Sequence, residues 1–233
     1  MTTANMANYK KEVIEATQQI VQSGIMTKSL HGNVSMKLPD QDAFLLTAGG
    51  SLATMQPENI ALFKLDGTLI EGTVAPVGAE IIQMHGIVYR KRDDMQSVVH
   101  THSPFATGFA VAGKSIPGAY EALVRNGMVD GVPLAKYGPR GSDESVNTIA
   151  AVLDEFEGIK GLLLENHGVL VFGDSLGGAV RANVTIEEAA EICLYAYGLG
   201  GPKEIPAHMI KATRERAAEF AAAGSFTVEA PRT

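Results

Sequence analysis

The stretch Ser97-Val98-Val99-His100-Thr101-His102 decides how this chain reads. A short apolar run leads straight into two histidines, as a strand leaving a core would. Alternate side chains on a strand share a face, so His100 and His102 project together. A second stretch has the same character. Leu162-Leu163-Leu164, then Glu165-Asn166-His167-Gly168, then Val169-Leu170-Val171 reads as two apolar strands joined at a glycine, with His167 at their edge.

Working outward, residues 5–25 carry Met6, Tyr9, Val13, Ile14, Ile20 and Val21 at helical spacing, with Gly24 as terminator. Residues 31–38 and 43–47 read as a hairpin turning at Pro39-Asp40-Gln41-Asp42, followed by the small-residue loop Ala48-Gly49-Gly50-Ser51. Residues 60–65 and 68–72 form a second strand pair around Asp66-Gly67. Helices are expected over 79–91, 104–112, 143–156, 175–198 and 207–223; Ser142 is the N-cap of the third, with Asp143 and Glu144 in its first turn. Strands interleave with helices and no linker divides the chain. The expectation is one α/β domain over residues 1–233, a mainly antiparallel sheet with helices on both sides.

Bulk properties narrow the function. At 233 residues with 45% hydrophobic content, the chain can bury a core without staples. A net charge of −7 argues against a duplex-binding surface, and Arg90, Lys91 and Arg92 read as a solvated helix end. The single cysteine, Cys193, excludes an internal disulfide and reads as core filler. No apolar run approaches the ~20 residues of a membrane span, and the first 25 residues lack the continuous apolar segment of a signal peptide. A cytoplasmic location follows by default.

Three neutral imidazoles with an open fourth position make a catalytic zinc set. On spacing alone His-x-His also reads as an exposed or backbone-satisfied pair, and nothing in the spacing brings His167 near it. Glu80 reads in two ways as well. Flanked by Ala79 and Ile81-Ile82 it is a high-titrating proton carrier; opening a helix, it is a glutamate held by the dipole.

Several segments together resemble the class II aldolase/adducin family. His31-Gly32-Asn33-Val34-Ser35 is similar to its Ser-Gly-Asn-Val-Ser motif, and Glu71-Gly72 with Pro76 to Glu80 to its Pro-Ser-Ser-Glu segment. Tyr89-Arg90-Lys91-Arg92 and Val98 to Ser103 resemble its Val-Val-His-Thr-His run with the residues before it, and Asn166-His167-Gly168 its distal His-Gly motif. The match runs in order over roughly residues 8–200. The resemblance implies a three-layer α/β/α fold around a mostly antiparallel sheet, and a homotetramer with active sites at subunit interfaces. It implies one divalent metal per subunit, zinc or else manganese or another divalent ion, on His100, His102 and His167. That metal would polarise a carbonyl and stabilise the enolate formed on C–C cleavage. Glu80 would be the general acid/base and a resting metal contact by the same analogy, and Tyr120 a proton donor in a neighbouring subunit's site. Gly32, Asn33, Gly49, Gly50 and Ser51 would bind substrate.

The departures are informative. Gly49-Gly50 stands where a hydroxyl-bearing Thr-Gly or Ser-Gly belongs, and Val77-Gly78-Ala79 where paired serines belong. With those phosphate donors absent, the expected substrate need not be phosphorylated, with a carboxylate at that end of the pocket instead; Ser51 would substitute as a donor. The family's acid/base glutamate precedes the matched tyrosine by eight residues, which is Ile81 here, so Glu80 stands one residue early and His85 is a fallback. The leading expectation is an aldolase making or cleaving a hydroxy-keto compound. A decarboxylase of a hydroxylated aromatic or keto acid, favoured by Phe105 and Phe109, is the alternative; a sugar-phosphate epimerase and a non-catalytic adducin-like domain follow. Tyr195, Tyr197 and Phe226 are further candidates to line the pocket.

Overall fold

The computed structural model describes residues 3–39 and 41–223; Asp40 and Phe226 lie outside the described residues. Helix α1 (Thr3–Gln22) precedes strands β1 (Gly32–Lys37), β2 (Ala43–Thr47), β3 (Ile60–Lys64) and β4 (Leu69–Glu71). Helices α2 (Pro76–Ala79) and α3 (Ile82–Lys91) lead to β5 (Ser97–Thr101), then α4 (Pro104–Val111) and α5 (Glu121–Arg125). Strand β6 (Leu134–Ala135), helix α6 (Asp143–Glu155), strands β7 (Gly161–Leu164) and β8 (Gly168–Gly173), and helices α7 (Leu176–Tyr197) and α8 (Ala207–Ala223) follow.

Among the described residues eight strands form one sheet in the order β4-β3-β2-β1-β5-β8-β7-β6. Every pairing is antiparallel except β6 with β7. Most strand residues are apolar because both faces are covered. Side chains alternate across the sheet. Phe44, Leu46, Val98, Leu162, Leu164, Leu170 and Phe172 join α3 and α6 in one core layer. Their neighbours Leu45 and Val99 pack with α1 and the start of α7, while Leu163, Val169 and Val171 pack with α4 and the rest of α7. The architecture is the expected α/β/α sandwich. Cys193 is buried in it, as core filler should be. Among the described residues no helix is long and apolar enough to cross a membrane.

Two local expectations change, and one strand was not expected. The helix expected over 79–91 is broken: α2 ends at Ala79 and α3 begins at Ile82, with Glu80 and Ile81 between. A Cβ on Gly78 would lie 2.7 Å from the Ala48 carbonyl, so the short α2 docks tightly on the glycine-rich loop, and that contact sets its axis. Strand β6 carries no periodicity in its two residues and exists only because the β7 edge pairs with it. The basic cluster is not simply solvated: Arg92 clamps Asp94 through two 2.8 Å contacts and donates to the Ile159 carbonyl, and Lys91 pairs with Asp154 at 2.7 Å.

Candidate metal centre and active-site pocket

The hydrogen-bond register sets the site. Strand β5 lies between β1 and β8, pairing His100 with Asn33 on one side and with Leu170 on the other. His102 follows the end of β5, and His167 sits in the β7–β8 turn. That turn needs unusual backbone: Asn166 has φ 59°, and Gly168 has no room for a side chain. A Cβ there would meet the Thr101 carbonyl at 2.7 Å and His102 Cδ2 at 2.9 Å, so glycine is what lets His167 close on the pair.

The three rings are 4.7–5.1 Å apart centre to centre. One ring nitrogen from each lies within 4.8 Å of the other two. His100 Nδ1 is 2.9 Å from the Val169 carbonyl; it donates there, which leaves Nε2 as an open lone pair facing the others. Burial lowers the pKa of all three, and for His100 and His102 the neighbouring rings add to it; His102 comes down to about 4. All three are thus neutral near pH 7, the form that binds a cation. The donor set fits a divalent ion with a position left for substrate.

The trio forms one wall of a cavity of about 150 Å³ that Gly32, Asn33, Gly49 and Gly50 also line. Asn33 is held from behind. His85 Nε2–H donates to Asn33 Oδ1; His85 Nδ1 accepts from Ser35 Oγ at 2.7 Å, and Ser35 accepts from the Tyr89 hydroxyl at 2.7 Å. Asn33 therefore keeps its N–H donors without a protein partner among the described residues.

Other residues fall elsewhere. Ile81, not Glu80, lines this cavity. Glu80 borders an adjoining recess with His167, Arg140 and Glu165, and its Oε2 pairs with Arg140 Nε at 2.6 Å. Its side chain is 41% exposed, so the apolar setting expected from its neighbours in sequence is absent, and it is outside the three-ligand cluster. Ser51 Oγ accepts from Ala53 N in a 3-10 turn and does not line the cavity. Tyr120 caps α5 and does not line the cavity; burial, then the Glu188 carboxylate, raises its pKa. His85 is fully buried with both nitrogens engaged, and burial lowers its pKa to about 3. That makes it a fixed post rather than a proton carrier. Phe105 and Phe109 pack on Tyr195 and Tyr197 of α7, and none of the four lines the cavity.

Sequence reasoning passed over Arg140, the one Lys or Arg lining the cavity among the described residues, and the lining roles of His31 and Thr47. Arg140 arrives from the loop between β6 and α6, and no spacing signal ties that loop to the histidines.

The family described as Class II Aldolase and Adducin N-terminal domain matches residues 11–194. The chain belongs to this family. It is an aldolase-type carbon–carbon lyase. It is 29% identical over 201 residues to a 5-deoxy-D-ribulose 1-phosphate aldolase of Bacillus thuringiensis serovar kurstaki, covering 84% of this chain and 89% of that one. It is also 29% identical over 206 residues to a 5-methylthioribulose-1-phosphate/5-deoxyribulose-1-phosphate aldolase of Rhodospirillum rubrum, covering 88% of each. The solved structure of an L-fuculose 1-phosphate aldolase superposes with a TM-score of 0.80 at 25% identity, covering 90% of this chain and 95% of that one.

Proposed function

We propose that this lyase makes or cleaves a hydroxy-keto compound whose ketone half need not be phosphorylated. It would act as a single domain over residues 1–233, in a cytoplasmic homotetramer, with zinc on His100, His102 and His167. The observation that carries the reading is the convergence of three neutral imidazoles on a cavity walled by Asn33, Gly49 and Gly50. The bound metal supplies Lewis-acid polarisation of a carbonyl oxygen. Manganese or another divalent ion also suits three imidazoles.

The chain's own groups do the rest. Backbone amides of Gly49 and Gly50 and the free amide of Asn33 hold the far end of the ketone, as a phosphate or a carboxylate. The hydroxyls of a dedicated phosphate cradle are missing from Val77-Gly78-Ala79. Glu80 takes the proton from the carbon beside the carbonyl, and the electron pair left there forms the new C–C bond to the aldehyde carbon. In cleavage the pair returns to that carbon and Glu80 gives the proton back. Glu80 reaches this position from the adjoining recess by leaving Arg140, a movement within reach of an exposed side chain. Tyr120 from a neighbouring subunit protonates the aldehyde oxygen, which is consistent with its absence from the cavity lining of its own chain.

The test is proton exchange in heavy water with pyruvate, hydroxypyruvate and dihydroxyacetone phosphate offered separately, with and without a chelator. Deuterium entering the carbon beside the carbonyl of one ketone, and stopping with chelator, is the expected result. Strong preference for dihydroxyacetone phosphate would overturn the phosphate-free reading. Exchange in none would bring decarboxylation forward, with carbon dioxide release as its assay.

A further inference from the structure

The cavity has two flanks. The loop after β2 brings Gly49 and Gly50, which offer amides but no charge. Strands β2 and β6 lie on opposite sides of the β5–β8 pair in the sheet, and the loop after β6 brings Arg140. Among the described residues no other lysine or arginine lines the cavity. Arg140 is held at its base. Its Nε is committed to Glu80, and a Cβ on Gly141, which has φ 80°, would lie 3.0 Å from Glu80 Cγ, so the loop backbone is pressed against that glutamate. The two terminal Nη groups make no hydrogen bond among the described residues. A guanidinium bound at Nε still presents its Nη pair as a fork, the shape that takes a carboxylate in two parallel hydrogen bonds. The positive charge is close enough to be felt at both His102 and His167. A typical ligand pocket holds about 300–1,000 Å³, so a cavity of about 150 Å³ suits a short molecule.

We infer that Arg140 is a specificity-determining residue that captures a carboxylate on the aldehyde half of the substrate, so that this lyase acts on short aldehyde acids. The inference rests on the aldolase reading for its word "aldehyde", but not for the anion site. Arg140 pairs with Glu80 at rest and keeps the substrate carboxylate when Glu80 leaves it for the reacting carbon. The acid is thereby delivered beside the acid/base group and the three histidines that would hold the metal.

Two measurements test it. In the first, zinc-loaded wild type, Arg140→Gln and Arg140→Lys are titrated by calorimetry with glycolate and with glycolamide, its neutral isostere. Glycolate affinity falls by roughly 10–100-fold in Arg140→Gln, as for loss of charged hydrogen bonds, with Arg140→Lys between. In the second, the ketone that exchanges in heavy water is paired with glyoxylate, glycolaldehyde or glycolaldehyde phosphate. The glyoxylate-to-glycolaldehyde ratio of kcat/KM falls by a similar factor in Arg140→Gln. Equal loss with all acceptors and unchanged glycolate affinity would reduce Arg140 to a counter-ion for Glu80 and overturn the inference. A larger fall for glycolaldehyde phosphate would make the site a phosphate site and overturn the carboxylate assignment. If no ketone exchanges, the aldolase reading fails, and the calorimetry still decides the anion site.

Discussion

His85 and His100 are both buried, and both are kept neutral by that burial. They differ in what their nitrogens meet. His85 has a protein partner on each side, Asn33 and Ser35, in a chain that ends at Tyr89. His100 has one partner, the Val169 carbonyl, and its second nitrogen faces two more imidazoles. A buried imidazole with both nitrogens satisfied is a strut, whereas one left with an open lone pair among others is a ligand. The strut stands behind the ligand site and fixes Asn33 beside it, so the two regions divide the work of one pocket.

The largest effect that would break this contrast is on His100. His100→Ala should purify without stoichiometric metal and without turnover by elemental analysis and assay; full metal occupancy would remove His100 from the ligand set. Glu80→Gln comes next. It should keep its metal yet lose about 10²–10⁴-fold in kcat, the worth of a positioned proton carrier. Full activity would reassign the role. Gly168→Ala sharpens the geometry, since its Cβ has no room beside Thr101 and His102. Metal affinity should fall by about 10–100-fold, as when ligand-orienting contacts are lost, read by competition with a chelator.

His85→Leu should do the reverse: metal content stays, while stability falls by about 1–3 kcal/mol because Asn33 and Ser35 lose a buried partner. The pH dependence follows from the lowered pKa of about 3 for His85 and about 4 for His102. Below pH 6.5 the unfolded chain takes up protons that the fold refuses, so stability is full above about 6.5 and drains as pH falls toward 4 and then 3. Urea unfolding of metal-free protein at pH 7.5, 5 and 4 measures this, and His85→Leu should flatten the slope. Ser51→Ala should be the smallest change, about 0.5–1 kcal/mol for a lost turn cap with KM unmoved. A raised KM would return Ser51 to the substrate.

Much of the pocket was legible in the chain. The β5 run ending at His100-Thr101-His102 and the β7–β8 turn at His167 carry local periodicity strong enough to mark strand ends, and Gly168 marks the turn. Elements with weak local signals were not legible. Strand β6 has two residues, and α5 has five and packs against α7 and α8.

The sequence by itself determined the apolar runs that become strands, the three histidines at strand ends, and the absence of hydroxyls at Val77-Gly78-Ala79. These are properties of neighbouring residues, and short-range sterics and burial fix them. Only the tertiary structure decided that His167 meets His100, that Ile81 rather than Glu80 lines the cavity, that His85 is engaged on both nitrogens, and that Arg140 reaches the site. Each of these depends on strand order and on a helix break set by a distant loop, and such long-range contacts leave no periodic trace along the chain.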